Sequence, residues 1–407
     1  VDDPRRVDLP AVGEQHHQRP DLELDAVGHL LPVAALLAPA RGVEADEVAV
    51  DAVESVAVVP IDLVVLREDR RAVELIIGQI DEGVGREDSD DDKMNFLVFG
   101  TGGVGGYFGA MLARAGEDVW FVARGKHLEA MLRSGFRLKA TKSYFTVPTG
   151  KMSEDPADGG EADVVLFCVK SFDTESAASQ LDPVLTDRTV VICLQNGIDN
   201  EEKIQKIIKR GAVFGGAAYV SARITAPGEV TETGGLQRIV FGPMDSSPDS
   251  RAQEILDVMT KAGISAALNP NIEQELWRKF AFITSIGSMT ALSRLTQGEI
   301  ASSKETMDVV FDAMREAEAV GRAQGVNIQP HEPEKVIEGL KRFDPNTRSS
   351  LYYDLVNEKP MEIEALNGTA VRLGEKLGVP TPIQRTIYAA LLPHHLKHLQ
   401  QRASKSD

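Results

Sequence analysis

The apolar positions of this 407-residue chain change rhythm along its length. Between residues 95 and 195 they come in short unbroken runs: Phe96-Leu97-Val98-Phe99, then Val164-Val165-Leu166-Phe167-Cys168-Val169, then Val190-Val191-Ile192-Cys193-Leu194. Four to six apolar residues without alternation suit a parallel strand covered on both faces. Each run stops at a polar or glycine residue: Gly100, Lys170, and Gln195-Asn196-Gly197. Residues 107–115 read as a helix and 117–123 as another strand. Beyond Ala212, short segments at 213–214, 219–224, 229–233 and 238–242 predict an antiparallel extension of the sheet, punctuated by Pro227-Gly228 and Gly234-Gly235. A helix over 249–262 closes this part, and Asn269-Pro270-Asn271 reads as a linker. From Ile272 onward the spacing is helical, over 273–291, 304–325, 333–341, 349–355 and 360–378. Pro360 suits a first helical turn and Gly378 a helix end. The fold class expected is α/β, a Rossmann-type doubly wound sheet over 94–270 followed by an all-helical domain over 271–407.

Composition separates off the first 93 residues. They carry 23 Asp+Glu against 9 Lys+Arg, a net of −14 out of −18, which leaves −4 for the remainder. Residues 1–92 contain no Phe, Tyr, Trp, Met, Cys, Asn, Thr or Lys. A core without aromatic residues is unusual, and Met94 stands one residue ahead of the first strand. Residues 1–93 are therefore expected to be an upstream extension with a mis-assigned start. The mildly acidic remainder argues against a nucleic-acid partner. No uncharged stretch of about 18 apolar residues predicts a membrane span. Cys168 and Cys193 lie in apolar runs, as small buried hydrophobes rather than a disulfide or metal site, which points to a reducing, cytoplasmic compartment.

The candidate chemistry begins at Gly100-Thr101-Gly102-Gly103-Val104-Gly105, a G-x-G-x-x-G turn between a strand and a helix. That context makes it a dinucleotide-binding fingerprint. The glycines allow a sharp turn, close approach of backbone N–H groups to a pyrophosphate, and tight helix–strand packing at the positive helix end. NAD-selective enzymes tend to place an acid at the end of the second strand. Here that strand ends in Ala123-Arg124-Gly125-Lys126, and a guanidinium can hold a 2′-phosphate in a fork. NADP(H) is the expected cofactor, a solvated turn residue being the alternative for Arg124. In a doubly wound sheet Lys170 and Asn196 project toward the same cleft, although Asn196-Gly197 also reads as an ordinary turn.

Further motifs follow in order: Val169-Lys170-Ser171, Leu194-Gln195-Asn196-Gly197, Glu275-Leu276-Trp277-Arg278-Lys279-Phe280, Thr290-Ala291-Leu292, Gln297-Gly298-Glu299, Ser349-Ser350-Leu351 and Glu362-Ile363-Glu364-Ala365-Leu366-Asn367-Gly368. Residues 94 to about 395 resemble the ketopantoate reductase (2-dehydropantoate 2-reductase) family. The resemblance implies NADPH-dependent reduction of a 2-keto acid, ketopantoate to pantoate, on the route to coenzyme A. It implies Lys279 as proton donor and Glu362 as the acid beside the reacting centre. It implies Ser350 on the substrate carboxylate, Asn196 on cofactor and substrate, and Lys170 on the cofactor. Alone, Lys279 reads as a surface lysine, Glu362 as a solvated helix face and Ser350 as an N-cap. The family usually places asparagines four and eight residues after the lysine, where Ile283 and Gly287 stand, and Gln297 replaces another. A relative acting on a more apolar 2-keto acid, and a non-catalytic NADP-binding sensor, are the alternatives. A homodimer is among the expectations.

Overall fold

A computed structural model describes residues 93–404 apart from 142, 246, 248, 342 and 343. The described residues form one compact unit. The expected upstream extension falls on residues outside those described. Strands β1 (Asn95–Phe99), β2 (Asp118–Val122), β3 (Phe136–Ala140), β4 (Ser143–Val147), β5 (Met152–Ser153), β6 (Val164–Phe167), β7 (Val190–Cys193), β8 (Ala212–Tyr219), β9 (Ala222–Ala226), β10 (Glu229–Glu232), β11 (Arg238–Pro243) and β12 (Ser265–Leu268) make two sheets.

The larger sheet has the order β12-β11-β8-β7-β6-β1-β2-β5. Strands β5, β2, β1, β6, β7 and β8 are parallel; β11 runs antiparallel to β8 and carries β12 parallel to itself. The unbroken apolar runs have the cause expected of them. Phe96, Val98, Val164 and Leu166 enter one buried cluster, while Leu97, Phe99, Val165 and Phe167 enter a second. Side chains alternate across a strand, so two separate clusters mean that both faces are covered.

The antiparallel extension is smaller than expected. It consists of β11 with its partner β12, while β8 is an eight-residue parallel strand of the main sheet. The segments expected at 219–224 and 229–233 appear as β9 and β10, and they leave the main sheet for a second one, ordered β4-β3-β10-β9. The helix Gly103–Arg114 lies between the two sheets. A side chain at its Gly109 would meet Val98 and Phe121 of the first, and one at Gly106 would meet Phe136 and Val230 of the second. The four glycines of this helix, 103, 105, 106 and 109, are what let two sheets close on it.

The later half is helical as expected, with two departures. The stretch expected at 273–291 is the α-helix Ile272–Phe282, a π-helical turn Ile283–Gly287 and the α-helix Ser288–Ser293 in one line. The helix expected from Pro360 begins with a second π-turn, Glu364–Gly368, continues as Thr369–Leu377, and stops at Gly378 in the left-handed conformation. Pro360 precedes it rather than forming its first turn. The long helix Pro382–Ala403 closes the fold, its apolar residues too scattered to announce it. No helix among the described residues is long and apolar enough to cross a membrane.

Candidate active site

The carboxyl ends of β1, β6 and β7 meet at one edge, and the glycine turn follows β1 there. Backbone N–H groups of Gly100 and Thr101, and the Thr101 hydroxyl, all donate to the Val122 carbonyl, pinning the turn to the end of β2. Gly100 has φ +103°, and a Cβ there would lie 2.8 Å from the Cys168 and Val169 backbone. At Gly103 it would lie 2.0 Å from the Ala222 carbonyl oxygen, and at Gly105 2.4 Å from that of Gly100. A Cβ on Gly102, the N-cap residue, would point into open space. First-turn amides of a helix have no partner inside it, so Gly103, Val104 and Gly105 present N–H groups beside that space. These residues fit the pyrophosphate of a dinucleotide.

Lys170 and Ser171 follow β6, and both bind the later half of the chain. Lys170 Nζ donates to Asp354 Oδ2 at 2.9 Å and Glu362 Oε2 at 3.2 Å, while the Ser171 N–H donates to Glu362 Oε1 at 3.0 Å. Glu362 is thus a buried, fully engaged carboxylate and not a solvated helix face. Burial pulls the Lys170 ammonium toward neutrality, but Glu362 and Asp354 outweigh it and hold its pKa above the ordinary lysine value. Burial raises Asp354, against the opposing pull of Lys170. Beyond β7, the Gln195 amide donates to the Val169 carbonyl and Thr174 hydroxyl, locking the two loops together. The next residue, Asn196, is half-buried; its carbonyl accepts from Asn200, and Gly197 completes the turn at φ +123°.

Lys279 lies one turn before the first π-turn, half-buried, with Nζ 5.7 Å from the centre of the Tyr219 ring. No described residue accepts a hydrogen bond from it. Burial brings its ammonium down to about 8, against the opposing influence of Glu362, Cys193, Glu201 and Glu275. Glu362 also lies just ahead of a π-turn, and the two π-turns are joined. Asn367 donates to the Thr284 carbonyl at 2.9 Å and to Gln384 at 2.7 Å, and accepts from the Ser288 hydroxyl at 2.6 Å. A π-turn leaves backbone groups out of the ordinary ladder, and one buried amide serves both. This junction fixes Lys279 relative to Glu362.

Around these residues the cleft departs from an amide-rich pocket. Ile283 packs on the helical core, and a Cβ on Gly287 would lie 3.6 Å from that of Ser349. Ser349, rather than Ser350, is the N-cap of the helix Ser350–Val356; its hydroxyl donates to the Gly287 carbonyl at 2.7 Å, and Ser350 beside it is exposed. Arg124 stands two residues past β2 and pairs with Asp173. Sequence motifs brought forward Lys170, Asn196, Lys279 and Glu362 and contained Asn367 without a role for it, but they did not include Asp354, whose partner is remote in sequence. A second residue outside those motifs, Glu201, is buried with neither carboxylate oxygen partnered among the described residues, and burial pushes it up to about 7.

Comparisons with known proteins bear on the family and the fold. The family described as "Ketopantoate reductase PanE/ApbA" matches residues 96–246, and its C-terminal counterpart matches 271–394. A 2-dehydropantoate 2-reductase of Archaeoglobus fulgidus is 33% identical over 292 residues, 71% of this chain and 94% of that protein. A ketopantoate reductase structure from Ralstonia eutropha superposes with TM-score 0.69 at 32% identity, over 75% of this chain and all of that one. A D-mandelate dehydrogenase structure with NADH and anilino(oxo)acetate shares the fold, at TM-score 0.67 and 22% identity over 75% of this chain and 99% of its own. With a glycine-turn sheet, a helical second half and family matches across both, the chain belongs to the ketopantoate reductase family of oxidoreductases.

Proposed function

We propose that this protein reduces a 2-keto acid with NADPH, and that the acid is 2-dehydropantoate. The observation that carries the reading is Lys279, half-buried in the cleft with its ammonium brought down to about 8. A reduced nicotinamide, when bound, supplies the hydride that adds to the keto carbon. As that bond forms, the carbonyl oxygen gains negative charge, and Lys279 Nζ gives it a proton, leaving a neutral amine and the 2-hydroxy acid. Lys279 is then reprotonated from solvent. An ammonium close to neutrality is suited to both halves of that cycle. Glu362, fixed by Lys170 and the Ser171 N–H, supplies the nearby negative charge that favours the ammonium.

NADPH rather than NADH is supported by the chemistry after β2, where Arg124 stands in place of an acid. A charge-assisted hydrogen bond to a phosphate contributes about 1.5–3 kcal/mol, about tenfold to a hundredfold in affinity. Arg124→Ala is expected to weaken NADPH by that factor and NADH little; equal losses count against the assignment. Ile283 favours a second reading, a more apolar 2-keto acid, since the side chain one turn after Lys279 offers methyl groups and no amide. A panel of 2-keto acids, followed by loss of NADPH absorbance, decides between them. Preferential turnover of 2-dehydropantoate supports the first reading, and preference for a bulkier apolar acid supports the second. Cofactor binding with no turnover of any 2-keto acid overturns both.

A further inference from the structure

In the main sheet β2 and β6 flank β1, so the loops after them lie on either side of the glycine turn. Arg124 comes from the first loop and Asp173 from the second, and their side chains form an ion pair. Asp173 has a second partner. Arg402, in the last turn of the helix Pro382–Ala403, donates through Nη2 to both of its oxygens, at 3.1 and 2.9 Å. The Arg402 guanidinium also lies over the Phe172 ring, 5.1 Å from its centre. The Asp173 side chain is only 15% exposed, whereas that of Arg124 is 63% exposed. One fixed carboxylate therefore holds an arginine from the helical half and a more exposed arginine from the sheet.

We propose that Asp173 and Arg402 set the choice between NADPH and NADH: Asp173 competes with the 2′-phosphate for Arg124, and Arg402 weakens that competition by sharing Asp173. The inference rests on the reading of Arg124 as the 2′-phosphate residue. A phosphate ester that takes up Arg124 has to draw it from Asp173 or settle beside that carboxylate, and either is unfavourable. Arg402 offsets this, because a carboxylate already paired with one guanidinium holds the other less tightly and repels an anion less. NADH brings no phosphate to this corner, so the ion pair stays closed when it binds. Arg402 acts through Asp173 and is a positioning residue in this scheme. The arrangement also ties the last helix to cofactor selection, although its Arg402 lies over 270 residues from Arg124 in the chain.

Titration of the full chain with NADPH and with NADH, using Arg124→Ala as reference, tests this. Exposed ion pairs shift equilibria by up to about fivefold. Asp173→Asn should tighten NADPH by about two- to fivefold and leave NADH unchanged. Arg402→Ala should weaken NADPH by a similar factor, again without moving NADH, and should have no effect when combined with Asp173→Asn. Higher salt should shrink both differences. Unchanged or weaker NADPH binding in Asp173→Asn overturns the competition. An Arg402→Ala loss that persists in the double variant overturns the route through Asp173 and makes Arg402 a direct ligand. A loss equal for both cofactors makes it a fastening of the helix only. If Arg124→Ala affects both cofactors alike, the NADPH reading itself fails. If Arg124→Ala is selective while the other two variants are silent, only the present inference fails.

Discussion

Lys170 and Lys279 are two lysines near one carboxylate, and their surroundings drive them apart. Lys170 has two carboxylates within hydrogen-bond distance and stays charged; Lys279 has none, and burial brings it down to about 8. The first is a fixed charge, the second a group that can give up a proton near neutrality. Because the donor must carry its proton, kcat/KM for keto-acid reduction should be level at lower pH and fall as pH rises through about 8. A rate that climbs across that range contradicts the assignment. Lys279→Ala should lower kcat by about 10²–10⁴, with NADPH affinity little changed in a binding titration. Glu362→Gln keeps the acceptor for the Ser171 N–H but removes the charge that opposes burial at Lys279. The falling limb should therefore move to lower pH, and kcat should drop. The sequence made Lys279 and Glu362 legible because both sit in motifs with fixed neighbours. Asp354 was not legible: its contact with Lys170 spans 184 residues, and nothing local marks it.

At the scale of elements, the central strands β1, β6 and β7 were legible because burial on both faces writes itself as an unbroken apolar run, whereas the edge strands β5 and β12 were not. Nor was the second sheet. Its strands Phe136–Ala140 and Ala222–Ala226 mix charged and apolar residues, and the close approach of the sheet depends on glycines in the helix Gly103–Arg114. That dependence gives a contrast between adjacent positions. Gly103→Ala drives a methyl to 2.0 Å from the Ala222 carbonyl and should lower the melting temperature as the second sheet is pushed away. Gly102→Ala places its methyl in open space at a residue with ordinary negative φ, so the melting temperature should hold while cofactor affinity falls. Equal melting points with equal cofactor affinities would mean the open space is not the cradle. The π-turns were equally hidden, since a helical spacing does not distinguish 3.6 residues per turn from a local bulge. Asn367→Leu strips the Thr284 carbonyl, Ser288 and Gln384 of a buried partner, a loss of about 1–3 kcal/mol for each group left unsatisfied. Thermal unfolding should register it, and kcat should fall with it as Lys279 loses its register to Glu362.

For the whole molecule, the sheet and helical halves meet through an apolar cluster of Ala217, Val240, Ile272 and Leu276 and through charged contacts beyond β6. Lys170 with Asp354 and Glu362, the Ser171 N–H with Glu362, and Asp173 with Arg402 all join loops after β6 to helices beyond residue 350. The same loop borders the glycine turn, so the charged part of the junction lies beside the candidate site. Everything that builds it lies after residue 93: the apolar clusters on both faces of the main sheet, the helical cluster, and the stretches matched by the family, which run from 96 to 394. The acidic, aromatic-free segment before residue 93 supplies none of these residues. A chain beginning at Lys93 should therefore unfold at the same temperature as the full chain and bind NADPH with the same affinity, within about twofold. Calorimetry and a fluorescence titration on the two chains check it side by side. A melting temperature several degrees lower in the shorter chain would show that the first 92 residues contribute to the stability of the part that carries the site.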